Sequence, residues 1–385
     1  MKHLSRSLAL APIIAIAVLG VTAVHADDRR NAYVVTNLVS DLPNTAAVQD
    51  PNLKNAWGVA FTPAASPFWI ADNATGLATL YDGDGTTVPL VVTIPCPPTA
   101  GQGSSCPQTA APNGMVWNPT TNVSTAFLVP GTKLPASFIF DTEDGTISAW
   151  TGGLTPADNA VLAVNNSVTP NATLGAVYKG LAVGVNVKGV FLFATNFRDG
   201  TVEVYAPAPA GSTTGFYVPV TTDGGFTDPD IPDGYAPFGI QNINGDLFVT
   251  YAQQNAQKHD DVAGSGHGFV DVFDTDGHLL RRFASRGKLN SPWGVARASF
   301  AFGRFSGDIL VGDFGDGRIN VFDSNGKFLD QLRDTNGEPI VIDGVWTVTL
   351  GGGAKSSSDT LYFTAGPNGE TDGLFGTITP APDND

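Results

Sequence analysis

Apolar residues run through this chain in short bursts cut by Gly, Asp and Asn, and no segment sustains helical spacing. The stretch SPWGVARASFAFGRFSGDILVGDFGDGRINVFDSNGKFL, from Ser291 to Leu329, is the most regular. It opens on an x-Gly-Val-Ala run, passes a spacer, and continues as two β-rich runs separated by a Gly/Asp turn. The same order returns along the chain. NAWGVAF leads to FWIADNATGLATLYDGDG and VPLVVTIP, and APNGMVW leads to SFIFDTEDGTISAW and AVLAVNN. YKGLAVGV leads to VFLFATNFRDGTVEVYAP, YAPFGIQNI to DLFVTYA and GFVDVFDTDG, and IDGVWTVTL to TLYFTAG and GLFGTITP.

The recurring glycines are Gly58, Gly114, Gly180, Gly239, Gly294 and Gly344, spaced 50 to 66 residues apart. Each unit holds three or four short strands, which predicts an all-β, six-bladed β-propeller. The blades span approximately 53–95, 112–168, 178–222, 235–285, 289–334 and 340–380. The sixth unit lacks an outer strand, and a spare strand, Tyr33 to Val39, precedes the first unit. Placing that strand on the last blade closes the ring and removes an open edge. An open β-solenoid is the alternative topology, and the missing strand argues for closure. The six glycines then line a crowded channel, where a residue without Cβ lets strands approach.

The first 26 residues change the picture of where this ring works. Lys2 and Arg6 precede an apolar run from Leu8 to Val24, and Val24-His25-Ala26 offers small residues for cleavage. This reads as a secretory signal peptide, leaving 27–385 as one domain outside the cytoplasm, periplasmic or secreted. No later apolar run is long enough to span a bilayer. The chain carries 36 acidic and 20 basic residues, a net charge of −16, without a basic cluster. That excludes nucleic acid and anionic membrane surfaces as expected partners. Cys96 and Cys106 bound a Gly/Ser/Pro loop, which in an oxidising compartment predicts a local disulfide clip.

The segments FWIADNATGLATLYDGDG and ILVGDFGDGRINVFDSNGKFL resemble NHL repeats, with a small-Asp pair, a Gly-containing turn and an aromatic-Asp-x-x-Gly ending. From YVVTNLVSD through NAWGVAF and FIFDTEDGTISAW to PFGIQNINGDLFVTYA and LNSPWGVA, the chain also resembles a family of secreted bacterial proteins of uncharacterised function. Some members of that family carry a C-terminal sorting anchor. This chain ends TPAPDND, so the resemblance implies a soluble member. A more distant likeness is to gluconolactonase and senescence-marker-type propellers, which imply a channel cation held by Glu, two Asn and Asp. Asn113-Gly114 and Asp343-Gly344 match two of those local motifs. The Glu and the second Asn have no counterpart at equivalent positions.

Candidate chemistry lies where the blades differ. The connection into the first strand and the turn after the second open on one face, the usual ligand-binding mouth of such a ring. The residue before each glycine supplies one set: Trp57, Asn113, Lys179, Phe238, Trp293 and Asp343. Flat apolar faces with a few directional polar groups suit a small molecule or a glycan, and a protein partner is also compatible. The same residues also suit a packed plug, with Lys179 and Asp343 neutralising one another. The residue ending each second strand supplies another set: Asp72, Thr142 or Glu143, Asn196, Tyr251, Asp313 and Ala365. Asn113, Asn196, Asp313 and Asp343 together offer oxygen ligands for Ca²⁺. Turn capping is the competing role of such residues.

An insertion in the fourth unit, QQNAQKHDDVAGSGHG, borders the same mouth and brings His259, Asp260, Asp261 and His267. His259 and His267 are candidate bases and the glycines suggest a lid. No nucleophile elbow, P-loop, dinucleotide fingerprint or redox CxxC occurs. Three functions follow as expectations: a binding propeller, a Ca²⁺-dependent lactonase- or esterase-like hydrolase or lyase, and a structural envelope protein.

Overall fold

The computed structural model describes residues 30–63, 66–98, 109–120, 126–169, 175–209 and 217–382. The leader expected over 1–26 and one half of the expected clip, Cys106, lie outside the described residues. Cys96 is half-buried against the core shared by the first two blades.

Six antiparallel sheets follow one another around a closed ring. Blade 1 comprises Ala56–Ala60, Phe68–Asp72, Leu77–Tyr81 and Thr87–Thr93. Blade 2 comprises Pro112–Trp117, Phe138–Thr142, Thr146–Trp150 and Val161–Asn165. Blade 3 is built from Tyr178–Asn186, Gly189–Asn196, Thr201–Pro207 and Tyr217–Val220. Blade 4 uses Tyr235–Ile243, Asp246–Gln253, Phe269–Phe273 and Leu279–Ser285. Blade 5 uses Pro292–Arg297, Ile309–Asp313, Arg318–Phe322 and Phe328–Gln331. Blade 6 takes Val345–Leu350, Leu361–Ala365 and Leu374–Pro380 from the end of the chain. Its outer strand, Tyr33–Ser40, comes from the beginning, antiparallel to Leu374–Pro380. A two-residue fifth strand, Val48–Gln49, adds to that edge in parallel, a feature the repeat does not announce.

Among the described residues helix is confined to a 3₁₀ turn at Gly303–Phe305 and one turn at Pro367–Glu370. The chain is therefore an all-β, six-bladed propeller closed by its N-terminal strand. The closure is fastened beyond the ladder: Tyr33 N–H donates to the Arg333 carbonyl at 2.8 Å and Tyr33 Oη donates to the Phe302 carbonyl at 3.1 Å.

Second strands such as Phe68–Asp72, Phe138–Thr142 and Ile309–Asp313 are buried along their whole length. Each is covered on both faces by a neighbouring blade, so its sequence is a continuous apolar burst rather than an alternation. Six hydrophobic clusters fill the six spaces between blades. Ile139, Ile147, Leu181 and Leu192, for example, fill the space between blades 2 and 3. A seventh cluster, of Trp57, Phe197, Phe238, Trp293 and Trp346 with Phe314 packed against it, sits on the central axis.

Candidate functional site

The pairing register builds the mouth in the same way six times. Ala56 opposes Asp72, Pro112 opposes Thr142, and Tyr178 opposes Asn196. Pro237 opposes Tyr251, Pro292 opposes Asp313, and Val345 opposes Ala365. The next pair is reached after one extra residue on the inner strand, a bulge in every blade. Bulges re-aim side chains. Here they turn Trp57, Asn113, Lys179, Phe238, Trp293 and Trp346 toward the axis. The glycine that follows allows contact with the next blade: a Cβ on Gly58 would collide with the Asn113 carbonyl, and one on Gly239 with the Trp293 carbonyl.

This register corrects the sixth position, which Trp346 occupies rather than Asp343. Gly344 is a turn glycine with φ of +66°, and the strand begins one residue after it. Thr347 stands where the other blades have glycine, and its Oγ1 donates to the Trp57 carbonyl at 2.7 Å, joining blade 6 to blade 1. Asp343 is exposed and accepts the Asn368 N–H at 2.9 Å. The neutralising partner expected for Lys179 is therefore not Asp343.

The ring residues form a plug. Trp346 is sandwiched between Trp57, at 3.5 Å between ring centroids, and Phe314, at 3.9 Å. Trp293 meets Trp57 and Trp346 edge-on, both at 5.9 Å. Phe238 closes the remaining side against Phe197 and Trp346. Trp57 is 1% exposed and Trp293 9%, so the axis is shut at this level. The indole N–H of Trp293 donates across the channel to the Lys179 carbonyl at 2.7 Å, and that of Trp346 donates to Asn55 Oδ1 at 3.0 Å.

A charged layer lies on the plug. Lys179, 3% exposed, sets its ammonium 5.2 Å from the Trp57 ring centroid and pairs with Glu143 and, at 3.6 Å, with Asp260. Burial alone would lower its pKa, but Glu143, Asp260 and Glu370 outweigh that effect and hold it above the usual lysine value. Asp260 in turn touches His259 Nδ1 at 2.6 Å. The His259 contact, and Lys179 after it, lower its pKa to about 2. The layer extends through amides: Asn73 donates to Glu143 at 2.9 Å, and Asn55 to Asn73 at 3.1 Å and to Glu370 at 2.8 Å. Burial raises the carboxyl pKa of Glu370 and Asp261.

The fourth-blade insertion crosses this layer as a strap. Gln254 reaches the Phe197 carbonyl in blade 3, Asp260 reaches Lys179, and Gly264 N–H donates to Asn290 Oδ1 at 2.6 Å beside blade 5. His267 is turned away, with Nδ1 on the Val262 carbonyl at 2.8 Å. The structure thus brings His259 and Lys179 together and leaves His267 outside that contact.

The four candidate calcium ligands are occupied separately. Asn113 is fully buried, donates to the Tyr178 carbonyl and accepts from the Gly114 N–H. Asn196 donates to Asp199 at 2.9 Å and Glu203 at 2.8 Å, closing its own turn. Asp313 is buried against Asn320, with its pKa raised well above the carboxylate range by burial. Asp343, the fourth, accepts the Asn368 N–H, so each of the four has a protein partner of its own. The acidic groups that do converge are Glu143 and Asp260 with His259, whose candidate ligand atoms lie within 4.8 Å of one another. There the Lys179 ammonium already fills the cationic place.

Two of these residues were not candidates from the sequence, Phe314 and Asn73. Like Glu143, which was the alternative to Thr142 in blade 2, each follows the last residue of a second strand. That position, one beyond the predicted set, also faces the mouth, and its recurrence in Phe197 and Gly366 is the signal that would have found it.

Fold and mouth together define a β-propeller whose channel is plugged by aromatic rings under a charged layer. No family model matches the sequence. The chain is 33% identical over 350 residues to the uncharacterised protein R648 of Acanthamoeba polyphaga mimivirus, covering 90% of this chain and 80% of that protein. It is 32% identical over 351 residues to the uncharacterised protein L690 of the same virus, covering 90% and 85%. The chain belongs to the family of these proteins. Among solved structures, a protein of unknown function from Bacteroides thetaiotaomicron VPI-5482 is similar in fold, with a TM-score of 0.53 and 9% identity over 90% of this chain and 76% of that one. The two relatives in sequence are viral, whereas the sequence motifs pointed to secreted bacterial proteins.

Proposed function

We propose that the chain is an extracytoplasmic binding propeller, related to secreted bacterial proteins, that takes a small polar molecule, a glycan or a protein partner at its mouth. The first 26 residues act as its secretion signal, and a Cys96–Cys106 disulfide clips the loop entering blade 2. One observation carries the reading: the ring residues are sealed in a plug, while a charged cluster above them stays reachable. The side chains of His259 and Asp260 are 38% and 60% exposed over the buried Lys179–Glu143 pair. Carboxylate, imidazole and amide groups held in fixed geometry recognise hydroxyl and ammonium groups directionally. Screening the mature protein against glycans and cationic small molecules tests this. Binding should weaken about tenfold or more in Asp260→Ala and His259→Ala, the loss of one charge-assisted hydrogen bond. Unchanged binding in both variants overturns it.

The 2.6 Å contact between Asp260 and His259 Nδ1 favours a second reading, proton transfer by His259 in a hydrolase or lyase. Asp260 orients the ring and leaves Nε2 for the substrate. Turnover of lactones or esters that disappears in His259→Ala supports it, and turnover indifferent to that change removes it.

A further inference from the structure

The channel opens again below the plug. There the inner strands run on past the glycines and enclose a cavity of about 220 Å³, lined by parts of blades 1, 2, 3, 4 and 6. Val59, Val116, Leu181, Phe61, Gln241 and Asn242 are among its lining residues, and of these Gln241 is exposed. Its lining residues lie two to four positions past the plug positions Trp57, Asn113, Lys179, Phe238 and Trp346 on their inner strands, so the cup lies beyond the plug from the strap and the charged mouth.

Three properties of the cup select an occupant. First, every blade presents its innermost strand to the channel as a sheet edge, so inward-pointing N–H and C=O groups have no strand partner there. Buried backbone groups of this kind are nearly always satisfied by something, a ligand or water. Second, among the described residues no ionisable side chain lines the cup, although the chain carries a net charge of −16. A charged guest would lose its hydration without gaining a counter-ion. Third, its volume lies below the roughly 300–1,000 Å³ of ordinary ligand pockets, room for one ring and not for an oligomer.

We infer that the lower cup is a binding site for a small uncharged polyol of monosaccharide size. A hydroxyl both donates and accepts, so a polyol matches the alternating N–H and C=O groups of the free strand edges. Gln241, whose side-chain amide has no protein hydrogen bond among the described residues, adds a directional contact at the rim. Asn242 is held in place by its bonds to the Val183 carbonyl and the Gly245 N–H, both 2.9 Å. Phe61 supplies a flat face for the apolar side of the ring.

Calorimetric titration of the full chain with glucose and xylose, with the anions gluconate and glucuronate as charged controls, tests the site. At least one neutral sugar should bind, both charged controls should bind at least about tenfold more weakly, and Gln241→Ala should weaken the neutral sugar by several-fold. Thr349→Trp, at another lining position, should abolish binding by filling the cup, and Asp260→Ala at the mouth should leave it unchanged. Absence of binding by either sugar up to about 10 mM overturns the inference. So does binding that Asp260→Ala abolishes and Gln241→Ala spares, or equal binding of the charged controls. Failure of the cup leaves the mouth untouched, because the two sites are read by different variants.

Discussion

Asp141 gives the sharpest test of how this ring is held together. It is fully buried on the second strand of blade 2, and neither carboxyl oxygen makes a hydrogen bond of good geometry, though the Gly114 amide lies close enough to act on it. The same position holds Thr195, Thr250 and Thr364 in blades 3, 4 and 6. Thr195 Oγ1 donates to the Phe238 carbonyl of the next blade at 2.8 Å, and Thr364 Oγ1 to the Trp57 carbonyl. Asp141 is a carboxyl where its sisters are hydroxyls. Burial drives its pKa up to about 8, opposed by the Gly114 amide and reinforced by Glu143. Below about pH 4 the carboxyl is protonated in the folded and the unfolded chain alike, and it costs nothing. As pH rises from about 4 to 8 the unfolded chain loses the proton and the folded chain retains it, so stability falls. Above about pH 8 the full penalty is present. The gap of roughly 4 pH units, at about 1.4 kcal/mol each, sets the penalty at no more than about 6 kcal/mol. Asp141→Asn keeps the shape and removes the titration, and Asp141→Thr supplies the hydroxyl of the sister blades. Urea unfolding of wild type and both variants should show a stability difference that grows by a few kcal/mol in the variants' favour between about pH 4 and pH 8. A difference that does not change with pH across that range refutes the assignment.

Trp346→Ala removes the ring stacked on both Trp57 and Phe314 and should cost about 3–5 kcal/mol in a denaturant melt; a loss under about 1 kcal/mol means the plug repacks freely. Gly239→Ala drives a Cβ into the Trp293 carbonyl and to 2.9 Å from Thr250 Oγ1. It should lower the melting temperature by an amount equivalent to about 1–3 kcal/mol, whereas Gly152→Ala, with its nearest atom at 3.7 Å, should change little. Thr347→Val deletes the hydroxyl that bonds the Trp57 carbonyl and should cost about 1–2 kcal/mol, and Thr347→Ser should recover most of that.

The ring itself was legible because its determinants are local and repeated. An apolar burst, a turn and a glycine at the crowded inner strand recur whatever the rest of a blade does. The end of each second strand was legible for the same reason, and the register settles the second blade on Thr142. The sixth blade misled because Asp343-Gly344 imitates the pattern just ahead of the strand. That glycine serves a left-handed turn, and the true inner position is filled by Thr347, which replaces glycine's close approach with a hydrogen bond. Lys179, His259 and Asp260 were each visible as candidates, but their meeting was not. Nothing in the local sequence says that an insertion from blade 4 lies over a lysine of blade 3 and a glutamate of blade 2. The aromatic ring residues read equally as a plug or as a ligand platform, and only their stacking distances separate the two.

The clasp in blade 6 has a consequence for the life of the chain. Its ladder pairs Tyr33 with Pro380 and Ser40 with Leu374, residues from opposite ends of the sequence. Until the last strand exists, the first one has no partner but the two-residue strand Val48–Gln49, and two sheet edges stand open to other molecules. Closing a loop that contains almost the whole protein is a late, entropically slow event, and contacts of such long range slow folding. Once made, the same join gives the ring no free end at which a single blade can peel away. Loss of Tyr33–Ser40 or of Leu374–Pro380 is therefore equivalent to breaking a hoop, with damage that reaches every blade. A chaperone that shields those two edges would assist this protein more than one that shields any internal blade.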